Sequence, residues 1–436
     1  MYRETANLLL YSNLGADSIL AQLADIFRDW EHDQCDKLQL VSRIYAQVKR
    51  LLDLATVYGF DRNLWHNYLT FVLMTNENSF TLTCERQGAI ASDGSVNHFA
   101  RADFDVFKRL FDFDFSPIER DLGIDCFTVL THYRAIPKKA HMYYRNVSEK
   151  VQQLSLAIDA ASTTEEVFDL VTAHYRDCGV GMFGLNRAFR LGDDGELLAI
   201  NNIDRVVLDD LIGYEYQKKE LRANTEAFVT GRSCNNMLLY GDAGTGKSTS
   251  VKAILNEYYD QGLRMIEIYK HQFGQLSDVI ARVKNRNYRF MIFIDDLSFE
   301  EHEVEYKFLK AVIEGGVETR PGNVLIVATS NRRHLVKETW KDKSDMEFEN
   351  DIHRSDTMEE KLSLAARFGC SICYNNPNRQ QYHNIVRGIA ARLPEGVDMT
   401  EEQLLLEANK WEIRHGGVSG RTAQQFINYI SGLKRH

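Results

Sequence analysis

Proline is scarce, five in 436 residues. Long disordered linkers favour it, and low-complexity tracts are lacking too, so the chain is expected to fold along most of its length. No apolar run approaches the roughly 20 residues needed to cross a bilayer. The opening M-Y-R-E-T-A-N-L-L-L-Y-S-N carries neither a basic leader nor a cleavage pattern. A cytoplasmic protein with no membrane anchor is therefore expected. Basic excess is missing as well. A net charge of −10 disfavours a protein that coats nucleic acid, although a local basic patch is compatible with it. The seven cysteines are scattered, and only Cys370 and Cys373 form C-x-x-C. There is no second pair and no His at ligand spacing, so a zinc site is not expected. The surrounding F-G-C-S-I-C-Y-N reads as a buried strand with core cysteines.

What is present is ordinary globular material, 44% hydrophobic and 26% charged, in a chain long enough to bury at least two cores. Residues 1–190 read as mainly helical. One apolar face is Ile19, Leu20, Leu23, Ile26, Phe27 and Trp30; a second is Leu40, Val41, Ile44, Val48, Leu51 and Leu52; a third is Trp65, Tyr68, Leu69, Val72 and Leu73. Thr163-Thr164-Glu165-Glu166 offers a capping box for a helix to about Arg176. The aromatic cluster Phe104, Phe107, Phe111, Phe113 and Phe115 is expected to pack a core. Gly179, Gly181 and Gly184 match G-x-G-x-x-G, with Asp204 placed as a ribose-binding acid would be. The preceding residues read as helix, however, and a dinucleotide fingerprint needs a strand there.

After a hairpin at 187–203, around the turn G-D-D-G, the rhythm changes. Apolar runs at 236–240, 264–268, 290–294, 323–328 and 371–374 alternate with helical stretches. That alternation predicts a five-stranded parallel sheet covered by helices on both faces, in a core at 200–375. Residues 376–436 read as a small helical lid.

The run Met237-Leu238-Leu239-Tyr240 leads into Gly241-Asp242-Ala243-Gly244-Thr245-Gly246-Lys247-Ser248, followed by Thr249 and a helical pattern. Strand, G-x-x-x-x-G-K-S and helix in that order make a phosphate-binding P-loop. The glycines let successive backbone N–H groups turn inward. Lys247 can reach the β- and γ-phosphates, and the Ser248 hydroxyl can bind Mg²⁺. The later F-M-I-F-I-D-D-L-S-F reads as a Walker B strand. Asp295 is placed to hold Mg²⁺ and Asp296 to polarise the attacking water, with Glu300 in reserve. The run N-V-L-I-V-A-T-S-N-R-R ends in Ser330 and Asn331, and Asn331 is placed to touch the γ-phosphate or the water.

P-loop, Walker B and strand-tip Asn, in this order, resemble the AAA+ ATPases. The phrases L-D-D-L-I-G-Y-E-Y-Q-K, N-N-M-L-L-Y-G-D-A-G-T-G-K-S, I-D-D-L-S-F-E, A-T-S-N-R-R-H-L and E-E-K-L-S-L-A-A-R-F-G resemble a bacterial AAA+ family of uncharacterised ATPases, a domain of unknown function, over about 200–435. The resemblance implies that Leu211, Ile212 and Gly213 wrap the adenine of ATP. It implies that Asn331 is sensor 1, that Arg367 is an arginine finger offered to a neighbouring subunit, and that Arg421 is sensor 2. Ala366 stands where the family tends to carry an acid. Arg320, Arg332 and Arg333 are alternative trans residues, and the charged stretch 341–360 is expected to form an exposed loop. The expected protein is a Mg²⁺-dependent ATPase working as a homo-oligomeric ring or spiral, with residues 1–190 recognising a protein client. A nucleic-acid partner is not indicated. The alternatives are a helicase-loader or replication-initiator type of ATPase, and a nucleotide-gated scaffold that hydrolyses little.

Overall fold

Several helix starts in the first part of the chain are set by side-chain caps. In the computed structural model, Ser18 accepts from Ala21 N ahead of Ile19–Glu31, Asp36 from Leu38 N ahead of Lys37–Tyr58, and Asn63 from His66 N ahead of Leu64–Thr75. The structure describes residues 1–87, 94–136, 143–201, 203–299, 303, 305–314, 321–331, 335, 364–393 and 396–433. Glu300, Arg320, Arg332, Arg333 and the stretch 341–360 lie outside them. Among the described residues no helix is long and apolar enough to cross a membrane.

The chain divides into two units, Met1–Asn186 and Arg187–His436. The first is helical, and the faces read from sequence supply its core. Leu20, Leu23, Ile26, Phe27, Ile44, Leu51, Trp65, Leu69 and Leu73 are all buried. The capping box forms, with Thr163 accepting from Glu166 N and the Glu166 carboxylate returning to the cap backbone. Phe104, Phe107, Phe111 and Phe115 are buried, and Phe115 stacks on Phe127 at 4.3 Å between centroids. The aromatic cluster is therefore packing. Helix Thr164–Asp177 precedes the G-x-G-x-x-G glycines, and Gly181–Leu185 is itself helical. With no strand entering, the dinucleotide reading fails.

One group in this unit makes its stability depend on pH. His174 keeps a buried Nε2 that has no hydrogen-bond partner, and burial pushes its pKa down to about 4. The folded state thus favours the neutral ring, and its contribution is complete above the unfolded value near 6.5. It is lost as pH falls towards 4, because the unfolded chain then binds the proton more readily. Thermal melts from pH 7 to pH 4 should show a decline of roughly 1–3 kcal/mol from this group. His174→Gln should flatten that part of the profile; an unchanged slope would remove His174 as its source.

Among the described residues the second unit is built on a sheet of seven strands rather than five. They are β1 (Ala188–Leu191), β2 (Leu197–Ala199), β3 (Met237–Gly241), β4 (Leu263–Glu267), β5 (Arg289–Ile294), β6 (Val324–Ser330) and β7 (Cys370–Tyr374). Their order is β2-β1-β4-β5-β6-β3-β7. The hairpin at 187–203 accounts for the two extra strands. β1 pairs antiparallel with β2 and also parallel with β4, which extends the sheet at one edge. The physical reason is apolar cover: Ala188, Phe189 and Leu191 are buried, and a hairpin standing alone would expose them. All other pairings are parallel. β6 is buried at every position, as expected of a strand with neighbours on both sides and cover on both faces.

Helices α1 (Glu215–Val229), α2 (Lys247–Tyr258), α3 (Leu276–Val283) and α4 (Tyr306–Glu314) accompany the sheet. Beyond β7, α5 (Arg379–Ala391), α6 (Glu401–Arg414) and α7 (Gly420–Leu433) form a bundle. It has its own small core around Tyr382, Ile385, Val386, Ala408, Phe426 and Ile427. Cys370 and Cys373 are free thiols on β7. Three residues apart on a strand, they point to opposite faces, so they form neither a disulfide nor a two-cysteine ligand pair.

Candidate functional site: a cleft at the end of the parallel sheet

Strand order brings the sequence motifs together. β3 and β5 are not neighbours, because β6 runs between them. The tip of β6 therefore lies between the loop that leaves β3 and the acids that end β5. In open parallel sheets this carboxyl end is where ligands bind.

The loop after β3 bends where glycine is required. Gly241 has φ +131°, and a Cβ there would lie 2.2 Å from the carbonyl oxygen of Tyr374. Gly246 has φ +92° and caps α2, so the first N–H groups of that helix face the cleft. Asp242 braces the loop, its N–H donating to Tyr374 O (2.9 Å) and its carboxylate accepting from Asn376 N (2.7 Å).

Lys247 is 6% exposed. Its Nζ donates to Gly241 O (2.9 Å), Asp242 O (2.6 Å) and Asn331 Oδ1 (3.0 Å). Burial pulls its pKa below the ordinary lysine value, while the charges of Asp242, Asp296 and Asp295 work the other way. A desolvated ammonium is a strong site for an anion. Next to it, Ser248 Oγ donates to Asp295 Oδ1 at 2.6 Å. Asp296 holds the left-handed conformation, φ +52°, which Asp tolerates better than most residues. Its carboxylate accepts from Asn331 Nδ2 at 2.8 Å. With Oδ1 on Lys247 and Nδ2 on Asp296, the amide of Asn331 is oriented by both neighbours. Ser330 takes no part, since its hydroxyl is buried on Leu297 O.

These groups open on a cleft of about 920 Å³. Its lining includes Gly244, Thr245, Gly246, Lys247, Ser248, Thr249, Asp295, Asp296, Asn331 and Arg421. Leu211 and Ile212 also line it, and the bundle adds Ile385, Ile389 and Leu393. Arg421 N donates to Gly244 O at 3.0 Å, which places the start of α7 on the glycine loop. Gly241, Asp242, Ala243 and Gly213 are not among the lining residues: the first two shape the loop, and Gly213, with φ +81°, turns the chain after Ile212. Arg367 is not part of this chain's own cleft. It forms an ion pair with Glu314 at the end of α4.

Three contributors were not legible in the sequence. Thr329, 2% exposed, donates to Asp295 Oδ1 (2.5 Å) and accepts from Asp296 N (3.0 Å), so it fixes both acids. Its place two residues before Asn331 was the available clue. Tyr214 stacks on Tyr374 at 5.3 Å and donates to Asn375 O. Arg392 reaches back from the bundle, and no motif announces it.

Chemically, the donor set suits a polyphosphate: helix N–H groups, a buried ammonium and an arginine face one cleft. One carboxylate and one hydroxyl are few ligands for a cation held by protein alone. They match Mg²⁺, which is commonly held by one or two protein oxygens together with phosphates and water. Among the described residues no group of three or more His, Cys, Asp or Glu could hold a metal ion by itself.

No curated protein matches the chain. A family model described as "Protein of unknown function (DUF815)" matches residues 185–434. That span is the unit containing the sheet, the cleft and the bundle, and it covers more than half of the chain. The chain belongs to this DUF815 family, in which the cleft at Gly241–Ser248 lies within the matched region.

Proposed function

We propose that the protein is a Mg²⁺-dependent ATPase of the AAA+ type. One observation carries the reading: Lys247, the Ser248–Asp295 pair and the Asn331–Asp296 pair meet in a cleft that also has apolar walls. The triphosphate would lie along the α2 N-terminus, with Lys247 exchanging its loop carbonyls for phosphate oxygens. Ser248 and Asp295 would hold Mg²⁺, which supplies charge neutralisation at the phosphates. Asp296, aimed by Asn331, is placed to orient and polarise a water. Leu211 and Ile212 offer the base an apolar wall, and the bundle α5–α7 acts as the lid.

In this reading Arg367 serves a neighbouring subunit. It lies outside its own cleft and is already paired with Glu314, so it can complete a second site only in an assembly. A head-to-tail ring or spiral follows, because an arginine finger in trans is a heterologous contact. The N-terminal unit is the candidate element for engaging a protein client.

ATP turnover per chain, measured over a concentration series, tests this. Turnover should rise steeply with protein concentration and then saturate. Tight ATP binding with negligible turnover at every concentration would replace the enzyme with a nucleotide-gated scaffold. Asp296 gives that second reading its footing, since its carboxylate is one methylene shorter than a glutamate and is already engaged by Asn331.

A further inference from the structure

Arg392 follows the last turn of α5, and its side chain leaves the bundle. Its guanidinium donates to two successive backbone carbonyls, Asp209 O at 2.5 Å and Asp210 O at 2.7 Å. It also pairs with Asp210 Oδ1 at 3.4 Å. A planar guanidinium can bridge two adjacent acceptors, which a lysine ammonium does only poorly. One turn earlier, Gly388 leaves space that Ile212 fills: a Cβ there would lie 2.3 Å from Ile212 Cδ1. Two points on α5 thus hold the segment 209–212.

At its start the segment is shaped locally: Asp210 N and Leu211 N donate to Val207 O (2.9 Å) and Leu208 O (3.1 Å), and the Asp210 carboxylate accepts from Val207 N (2.9 Å). The segment leaves the short 3-10 turn Leu208–Asp210, and the next residues, Gly213 and Tyr214, both have positive φ (+81° and +60°). No sheet or helix ladder continues past that turn, so the course of Leu211 and Ile212 depends on tertiary contacts. On its other side the Asp209 carboxylate accepts from Arg222 of α1 (3.2 Å). The Nε of Arg222 donates to Glu257 (2.9 Å) on α2, the helix that begins in the phosphate loop. Leu211 closes the arrangement, its Cδ2 standing where a Cβ on Gly246 would come within 2.8 Å.

We infer that Arg392 is a positioning residue that holds the base-facing wall, Leu211–Ile212, and ties it to the bundle. The inference rests on reading the cleft as a nucleotide site. The phosphates are gripped by the glycine loop whatever Arg392 does, whereas the base meets a wall that Arg392, together with Arg222 and the packing of Leu211 and Ile212, holds in place. Recognition of the base and the position of the bundle are thereby coupled.

Titration calorimetry on the full chain separates the two halves of the ligand. The probes are ADP and inorganic tripolyphosphate, each with Mg²⁺. Arg392→Met should weaken ADP about tenfold, the size expected from losing a charge-assisted pair of hydrogen bonds. Tripolyphosphate should be little affected. Arg392→Lys keeps the charge but cannot bridge both carbonyls, and should show a smaller loss in the same direction. If Arg392→Met proves unfolded by thermal melting, Arg392→Lys decides alone. Equal losses for both probes, or an unchanged ADP affinity, would overturn the role. Wild-type protein that is folded yet binds neither probe would instead defeat the nucleotide reading, and this inference with it.

Discussion

Lys247→Ala is expected to weaken ATP and ADP binding by about 10²-fold or more, the scale of leaving a buried charge without its partner. In the free protein Lys247 bridges Gly241 O, Asp242 O and Asn331, and it stands close to three carboxylates. Removing it leaves Asp242, Asp295 and Asp296 beside the position of a tri- or tetra-anionic ligand. Attraction turns into repulsion, so the loss should exceed that of one hydrogen bond. Titration with a fluorescent ADP analogue would measure it. The same variant loses the cation that orients Asn331 from one side, so its ligand-free melting temperature should change as well. An affinity within about threefold of wild type, less than a single charge-assisted hydrogen bond contributes, would mean that the phosphates do not sit on this loop.

Arg367→Ala is expected to leave nucleotide affinity nearly intact and to lower turnover by roughly 10³-fold, as for other arginines that act on the transferred phosphate. Its ion pair with Glu314 is partly exposed, so little stability should be lost. The distinctive test is a mixture. Arg367→Ala chains keep intact nucleotide clefts but cannot complete a neighbour. Lys247→Ala chains cannot hold nucleotide but still carry Arg367. Each alone should be inactive, and mixing them should restore a fraction of the turnover. Normal turnover by Arg367→Ala would exclude it as the finger. A loss without any recovery on mixing would place its effect within its own chain.

Much of the site could be read from the chain because its parts are local. Gly241–Ser248 is a continuous run between a strand and a helix, and both acids follow a strand of apolar residues. Asn331 could be placed because it ends the next apolar strand run after the two acids, where a polar side chain can reach the same site. Thr329 was missed for the opposite reason, since it belongs to the strand and looks like an ordinary β-branched residue. Arg392 was missed because its acceptors are backbone carbonyls about 180 residues earlier, and a carbonyl has no signature in sequence. The hairpin was legible but its role in the sheet was not. Its pairing with β4 spans more than 70 residues and rests on apolar cover rather than on a turn motif.

The sequence by itself determined the loop, the strand-ending acids, the helical faces in the first unit and the helix, rather than a strand, ahead of Gly179. Each follows from periodicity, turn chemistry or spacing within one element. Only the tertiary structure decided that β6 lies between β3 and β5, so that Asn331 touches both Lys247 and Asp296. It also decided that Arg421 reaches the glycine loop, that Arg367 stands apart from its own cleft, and that Arg392 holds the wall beside it. Those contacts join residues far apart in the chain, and they are fixed by strand order and by the docking of the bundle, which no local pattern encodes.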